Sequence, residues 1–492
     1  MAITRRQFLK RSGAVTAGGL LGPGIFSNPL VRTALAETIG DRYFVVIYLD
    51  GGNDGLNTVT PVDNDMGTLR SDYMAARKPG PGEGGSNSGI RLSVADLAGT
   101  HIGVDPATGA QLALHPGFAG AGPGAGGFKA IYDAGDLAVI QGCGYPEPNL
   151  SHEVSSIIWE TGDPLGIGGY GNTGWIGRYL ADPATGYGAL DIPAVNINSA
   201  IAGEYVQIGT SVLAISRLRD FGFPFDGDYE DDAAAKEQAF LALHAKSLAS
   251  AQPTVALVGG AGTVTFNASE SYPALHGLYT SSRPAFNQMY TALDTSMARD
   301  LREVAKVIYG VTTAQANIDA RHFWVRNGGY DTHGDQGGAT GQHFNLHNEV
   351  ASAVKVFYDD LADMGVADKV CIMVWSEFSR RVIQNDNGTD HGSQAPVFLI
   401  GGKVNGGVYG NHPNIAAGAL DDGNTVYKQG ADPFRSTDIR DVYGNVLKHW
   451  FIMPHGVIIS NVLKLDTGFD PNEYWTVEDF DFINGGQPLF LP

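Results

Sequence analysis

The sequence predicts an α/β protein built on a central, mostly parallel sheet flanked by helices and carrying loop-rich insertions. Three observations predict it. Short continuous apolar runs recur at 43–50, 136–142, 192–198, 322–325, 370–375 and 397–402, as in strands buried on both faces. Amphipathic segments at helical spacing stand between several of them, above all 290–310 and 343–365. Gly is about twice its usual share, at 67 of 492 residues, and charged residues make up only 17%, which suits a loop-rich fold and neither a coiled coil nor a disordered chain.

The chain opens on an export signal. Arg5 and Arg6, with Phe8, Leu9 and Lys10 behind them, precede the weakly apolar run GAVTAGGLLGPGIF, and Ala34-Leu35-Ala36 offers a small-residue cleavage site. This pattern predicts a twin-arginine signal peptide over 1–36 and a periplasmic or secreted mature chain. The apolar run is too short and glycine-rich to span a bilayer, so no transmembrane segment is expected after its removal. Residues 37–492 then read as a single domain, with 200–285 as an insertion or cap. Losing the leader leaves 27 basic residues against 52 acidic ones. Such a surface repels nucleic acid and anionic lipid.

In chain order, the run YFVVIYLD (43–50) ends in Asp50-Gly51-Gly52-Asn53-Asp54-Gly55, where glycines permit a sharp turn and Asp50 or Asp54 is placed to reach a metal. Residues 78–126 form a Gly/Pro/Ser-rich surface excursion that returns at LALHPGF. The run 136–142 leads through Cys143 to Leu150-Ser151-His152-Glu153. Ser151 reads as the N-cap of a helix, in positive potential that would also favour a nucleophile or a bound anion. Cys143 and Cys371 read as buried free thiols, with a disulfide after export as the alternative. The acidic run 226–232 is a solvated lead into an alanine-rich helix over 233–250. The helix 343–365, between the runs at 322–325 and 370–375, predicts a parallel pair with a crossover. VNGGVYG (404–410) predicts a hairpin-like return. The segment 432–451 predicts a helix capped at Ser436 or Thr437, and the tail from Phe469 irregular edge structure.

The polar residues that follow the apolar runs carry the chemistry. Asp331 and His333 come after HFWV, Glu377 after VCIMVW, and Asp390 with His391 one loop later. In open α/β sheets sites form outside the C-terminal strand ends. These five residues therefore predict a site for divalent metal, expected as two ions of zinc, manganese, iron or calcium that clamp both sides of a displacement at phosphorus or sulfur. Asp390 alternatively orients His391 from behind. Arg380 is placed to fork an anionic substrate group, or to form a surface salt bridge. GxSxG, Walker A, HExxH and GxGxxG patterns are absent.

Across nearly its whole length the chain resembles the DUF1501 proteins of the alkaline phosphatase-like, or sulfatase-like, superfamily. The resemblance rests on the twin-arginine leader, YLDGGNDGLNTVTP, LHPGF, GDLAVIQGCGYPEPNLSHEVSSIIWETG, GNTGWIGRYL, NGGYDTHGDQ, WSEFSRR, GTDHGSQAPVFLIGG and GGVYG. It implies an alkaline phosphatase-like sheet and a two-metal site. Asp50 or Asp54 with Glu377 would serve one ion, and Asp331, His333 and His391 the other. It also implies Ser151 as nucleophile, His152 as proton donor or ligand, and an exported partner protein. Departures stand at Leu150, where the family often has Arg, at Glu377-Phe378-Ser379-Arg380-Arg381 in place of EFGRT, and in the missing C/S-x-P-x-R formylglycine signature. The sequence thus predicts a metal-dependent hydrolase of a small anionic substrate, a phosphate or sulfate ester, with a non-catalytic, metal-stabilised binding or envelope-complex protein as the alternative.

Overall fold

The computed structural model describes residues 42–491 apart from 65–66, 165–172, 184, 188–191, 198–199, 208–209, 223–231, 315–318, 417–419, 422–431, 434 and 466–487. The expected export signal, most of the acidic run and most of the aromatic tail lie outside the described residues.

The central sheet comprises β1 (Tyr43–Asp50), β2 (Leu137–Gly144), β3 (Ala194–Ile197), β4 (Val212–Ile215), β5 (His322–Gly328), β6 (Val370–Trp375), β7 (Ala395–Ile400), β8 (Gly407–Tyr409) and β9 (Thr437–Asp438). Its order is β8-β2-β7-β6-β1-β5-β3-β4, with β9 beside β2. Only β7 is reversed, lying antiparallel to β2 and β6, while the other pairings in this sheet are parallel. The expected mostly parallel α/β sheet is present.

Around it stand α1 (His152–Thr161), α2 (Trp175–Ala181), α3 (Ala233–Leu248), α4 (Pro253–Ser282), α5 (Pro284–Leu293), α6 (Ser296–Thr312), α7 (Gln342–Asp363) and α8 (Ile439–Asn445), of which α3 packs on α4 and buries no residue. Alternate residues of β1 feed two cores. Val45, Ile47 and Leu49 pack with Leu301 and Val304 of α6 and Val350 and Val354 of α7. Phe44, Val46 and Tyr48 pack with Trp159 of α1, Trp175 of α2 and Tyr443 of α8. Each such buried side chain contributes roughly 1.5–3 kcal/mol, so a strand apolar on both faces belongs at the centre of the sheet.

The expected parallel strands and helical crossover are present, but the two strands are not neighbours. Strands β5 and β6 are parallel, but β1 lies between them and pairs with both. The single helix expected over 290–310 is two. Asp294 takes a left-handed backbone (φ 49°), and the Thr295 hydroxyl accepts from the Ala298 amide to start α6 afresh. The hairpin expected at 404–410 is instead β8, parallel to β2. The cap of α8 is Asp438, not Ser436 or Thr437, because its carboxylate accepts from the Arg440 amide. Within 200–285, β4 extends the sheet and α4 sends Tyr272, Leu275 and Tyr279 into the core. Cys143 and Cys371 are buried free thiols.

Helix α1 also carries Glu160, whose carboxylate lies against Gly203 and next to the buried Glu204. Burial raises Glu160 to about 7, against an opposing hydrogen bond from the Gly203 backbone. The folded chain therefore holds a proton that the unfolded chain releases from pH 4.5 upward. The stability this confers is complete below that value and is lost as pH rises towards 7. Glu160→Gln should match the native chain near pH 4 and exceed its stability by about 2–3 kcal/mol at pH 8, read by urea denaturation at both pH values.

Candidate metal centre

The ends of β1 and β5 and the loop after β6 meet above the sheet. Gly51 (φ 121°) allows this approach, since a Cβ there would sit 2.4 Å from the Asp331 amide nitrogen. A short antiparallel ladder pairs Arg380 with His391 and carries the latter in beside them. The loop before α1 closes the fourth side. Tyr145 fixes it by hydrogen bonds to the Asn149 backbone and to Ser155, whose hydroxyl donates to the Glu377 carbonyl at 2.6 Å.

Four side-chain atoms converge in this space. The Nε2 atoms of His333 and His391 are 2.9 Å apart, and each is 3.2 Å from Asp331 Oδ1. His152 Nε2 lies 3.6 Å from the same oxygen. His152, Asp331 and His391 can place their ligand atoms within 4.8 Å of one another. The far nitrogen of each imidazole is anchored. His391 Nδ1 donates to the Leu150 carbonyl at 2.7 Å, His152 Nδ1 faces Glu377 Oε1 at 2.7 Å, and His333 Nδ1 faces Asp390 Oδ1 at 3.1 Å. A carbonyl or carboxylate can only accept, so each ring carries its proton on Nδ1 and turns an Nε2 lone pair into the shared space.

Facing lone pairs at 2.9 Å repel unless a cation or proton lies between them. The buried His152 Nε2 has no hydrogen-bond partner among the described residues. In a tetrahedral zinc site with bonds of about 2.0–2.1 Å, neighbouring ligand atoms lie roughly 3.3 Å apart, and the contacts of Asp331 Oδ1 with the three imidazoles and of His333 with His391 fall around that spacing. Carboxylate or carbonyl groups behind metal-binding imidazoles fix tautomer and orientation in the same way. The donor set therefore fits a divalent cation.

Charges within the cluster are already ordered. Burial raises the Asp331 carboxyl, but the hydrogen bond and charge of Arg380 prevail and hold it at about 2. Burial lowers His391. The hydrogen bond to Glu377 raises His152, against burial. Burial works against Asp390 ionising, yet hydrogen bonds from His333 and Asn385 keep its carboxyl below the usual range. Asp331 and His333 are each 49% exposed at the side chain. Beside His333 opens a cleft of about 510 Å³, also lined by Lys78, Gln384, Asn385, Asp386 and Asn387.

The structure brings together His152, Asp331, His333 and His391. Glu377 and Asp390 stand behind the imidazoles. Four expectations fare differently. Asp54 lies apart, its two oxygens held by Arg77 at 2.7 and 3.1 Å and by Gln336 at 2.6 Å, and it caps the turn Gly55–Thr58. Asp50 is paired with Arg326 and accepts from the Tyr48 hydroxyl at 3.1 Å. Arg380 is no free fork. It is buried, and it donates to the carbonyls of Gly51, Gly52, Tyr330 and Thr389 and to Asp331. Ser151 is exposed at the N-terminus of α1, and its side chain makes no capping bond.

Two participants escaped sequence reasoning. The Leu150 carbonyl cannot be read from a side chain. Asn385 donates to the His333 carbonyl at 3.0 Å and to Asp390 at 3.2 Å, and accepts from the Gly388 amide. The turn-forming NDNG sequence was its one visible signal.

Among the described residues no helix is long and apolar enough to cross a membrane. No curated protein matches the chain significantly. Residues 287–439, which carry Asp331, His333, Glu377, Arg380, Asp390 and His391, match the model of DUF1501, described as a protein of unknown function, and this supports the resemblance to that family.

Proposed function

We propose that the chain is an exported, metal-dependent hydrolase of phosphate, sulfate or related anionic esters, of alkaline phosphatase-like fold. The observation that carries the reading is the convergence of three imidazole nitrogens and one carboxylate oxygen beside an exposed serine and an open polar cleft. The N-terminal twin-arginine pattern supports export.

When bound, a divalent cation supplies positive charge that polarises an ester oxygen and lowers the pKa of a nearby hydroxyl or water. His152, His333, His391 and Asp331 would hold it. Glu377, Asp390 and the Leu150 carbonyl keep the imidazoles in the tautomer that binding needs. Ser151 stands at the positive end of α1, where a developing alkoxide or a substrate anion is favoured, and its hydroxyl is the nucleophile in this reading. Lys78, the amides and Asp386 along the cleft suit a hydrophilic leaving group.

The commitment of Arg380 to backbone carbonyls favours a second reading, a non-catalytic, metal-stabilised binding or envelope-complex protein. Ser151→Ala separates the two. In the hydrolase it should lower kcat on 4-nitrophenyl phosphate or sulfate by at least about 10³-fold with metal content unchanged. A native chain that turns over no such ester after metal loading would favour the binding protein.

A further inference from the structure

How the acids around the cluster are committed sets how many cations it can take. Asp331 directs one oxygen into it. Glu377, fully buried, uses Oε1 for the Gly51 amide at 2.9 Å and for His152, and Oε2 for the Ser376 hydroxyl at 3.0 Å. Asp390 Oδ1 serves His333 and Asn385. Asp50 and Asp54 are paired with Arg326 and Arg77. A two-ion site sets its cations about 3.5–4 Å apart, so a second ion here would need further ligands beside the first set, and the acids near enough to supply them are already engaged.

One permanent cation is already present. The Arg380 guanidinium lies 2.7 Å from Asp331 Oδ1, and four backbone carbonyls fix its position. A single divalent ion together with this guanidinium balances Asp331, Glu377 and Asp390. A second ion would leave two positive charges uncompensated in a half-buried site, a costly arrangement.

We infer that the chain binds one divalent transition-metal ion, through the Nε2 atoms of His152, His333 and His391 and Oδ1 of Asp331, and that the Arg380 guanidinium fills the place of a second ion. A donor set of three imidazoles and one carboxylate selects zinc, iron, cobalt or manganese over calcium or magnesium, which take oxygen ligands. The inference rests on the metal-binding part of the proposed function and departs from the two ions expected from the sequence.

Cobalt(II) titration of the metal-free full-length protein tests it, read by visible absorption and equilibrium dialysis. Saturation at one tight equivalent that excess calcium does not displace is the expected result. Glu377→Gln should keep that single equivalent with about 10–100-fold weaker affinity, because the residue acts through His152. Two tight equivalents in the native chain, one of them lost in Glu377→Gln, would overturn the inference and leave the hydrolase reading standing. No tight equivalent would overturn both.

Discussion

On the proposed function, the His152→Ala/His391→Ala double variant should lose metal binding and ester turnover while remaining folded. A four-ligand zinc site is worth roughly 10–16 kcal/mol, or about 3 kcal/mol for each ligand, so removing two weakens binding by on the order of 10⁴-fold. Neither residue belongs to the two hydrophobic cores, and both side chains are partly exposed. The midpoint of urea unfolding, compared with that of the metal-free native chain, should therefore move little. Elemental mass spectrometry on protein never exposed to chelator reads the metal, and circular dichroism reads the fold. Full metal retention in the double variant would place the ion elsewhere.

The second large effect lies beneath the cluster. Asp54→Ala should destabilise the chain by about 3–5 kcal/mol, because it strands the Arg77 guanidinium in a site with no exposure of either side chain. Asp54 also accepts from Gln336, whose own oxygen accepts from the hydroxyls of Thr332 and Thr389. Those two threonines sit next to Asp331 and Asp390, so the pair ties together both segments that deliver the cluster. Burial raises the Asp54 carboxyl, but the charge and hydrogen bonds of Arg77, the charge of His343 and the hydrogen bond from Gln336 together outweigh it, and the folded pKa is lowered below 3.8. The stabilisation is thus present above that unfolded value and is lost as pH falls through the folded one. The gap between native chain and variant should be full at pH 7 in guanidinium denaturation and shrink in acid. A gap under 1 kcal/mol at pH 7 would show that the buried pair contributes little.

Much of this was legible because burial writes itself into strand composition. YFVVIYLD has no polar residue before its end, and only a central parallel strand, covered on both faces, tolerates that. Runs of this kind located the strand ends, and with them Asp331, His333 and His391. Pairing was less legible. Nothing in the sequence of β5 or β6 shows that β1 separates them, since neighbours in a sheet are chosen by contacts hundreds of residues apart. The fate of the carboxylates was least legible. Asp50 and Asp54 look alike in the sequence, yet their partners, Arg326 and Arg77, come from distant segments. Glu377 stands at a strand end as a ligand would. Its role behind His152 depends on the approach of α1 from 225 residues away. Arg380 follows the same pattern, since its burial under four carbonyls is a property of the assembled loops.

The proposed function turns on where a metal ion binds. Anomalous diffraction from crystals of the unstripped protein, collected on both sides of the metal absorption edge, tests it most directly. A single peak is expected, bounded by the Nε2 atoms of His152, His333 and His391 and Oδ1 of Asp331, with none near Asp50 or Asp54. A peak bonded to Glu377 together with Asp50 or Asp54, or none at the cluster in protein that carries metal, would contradict it.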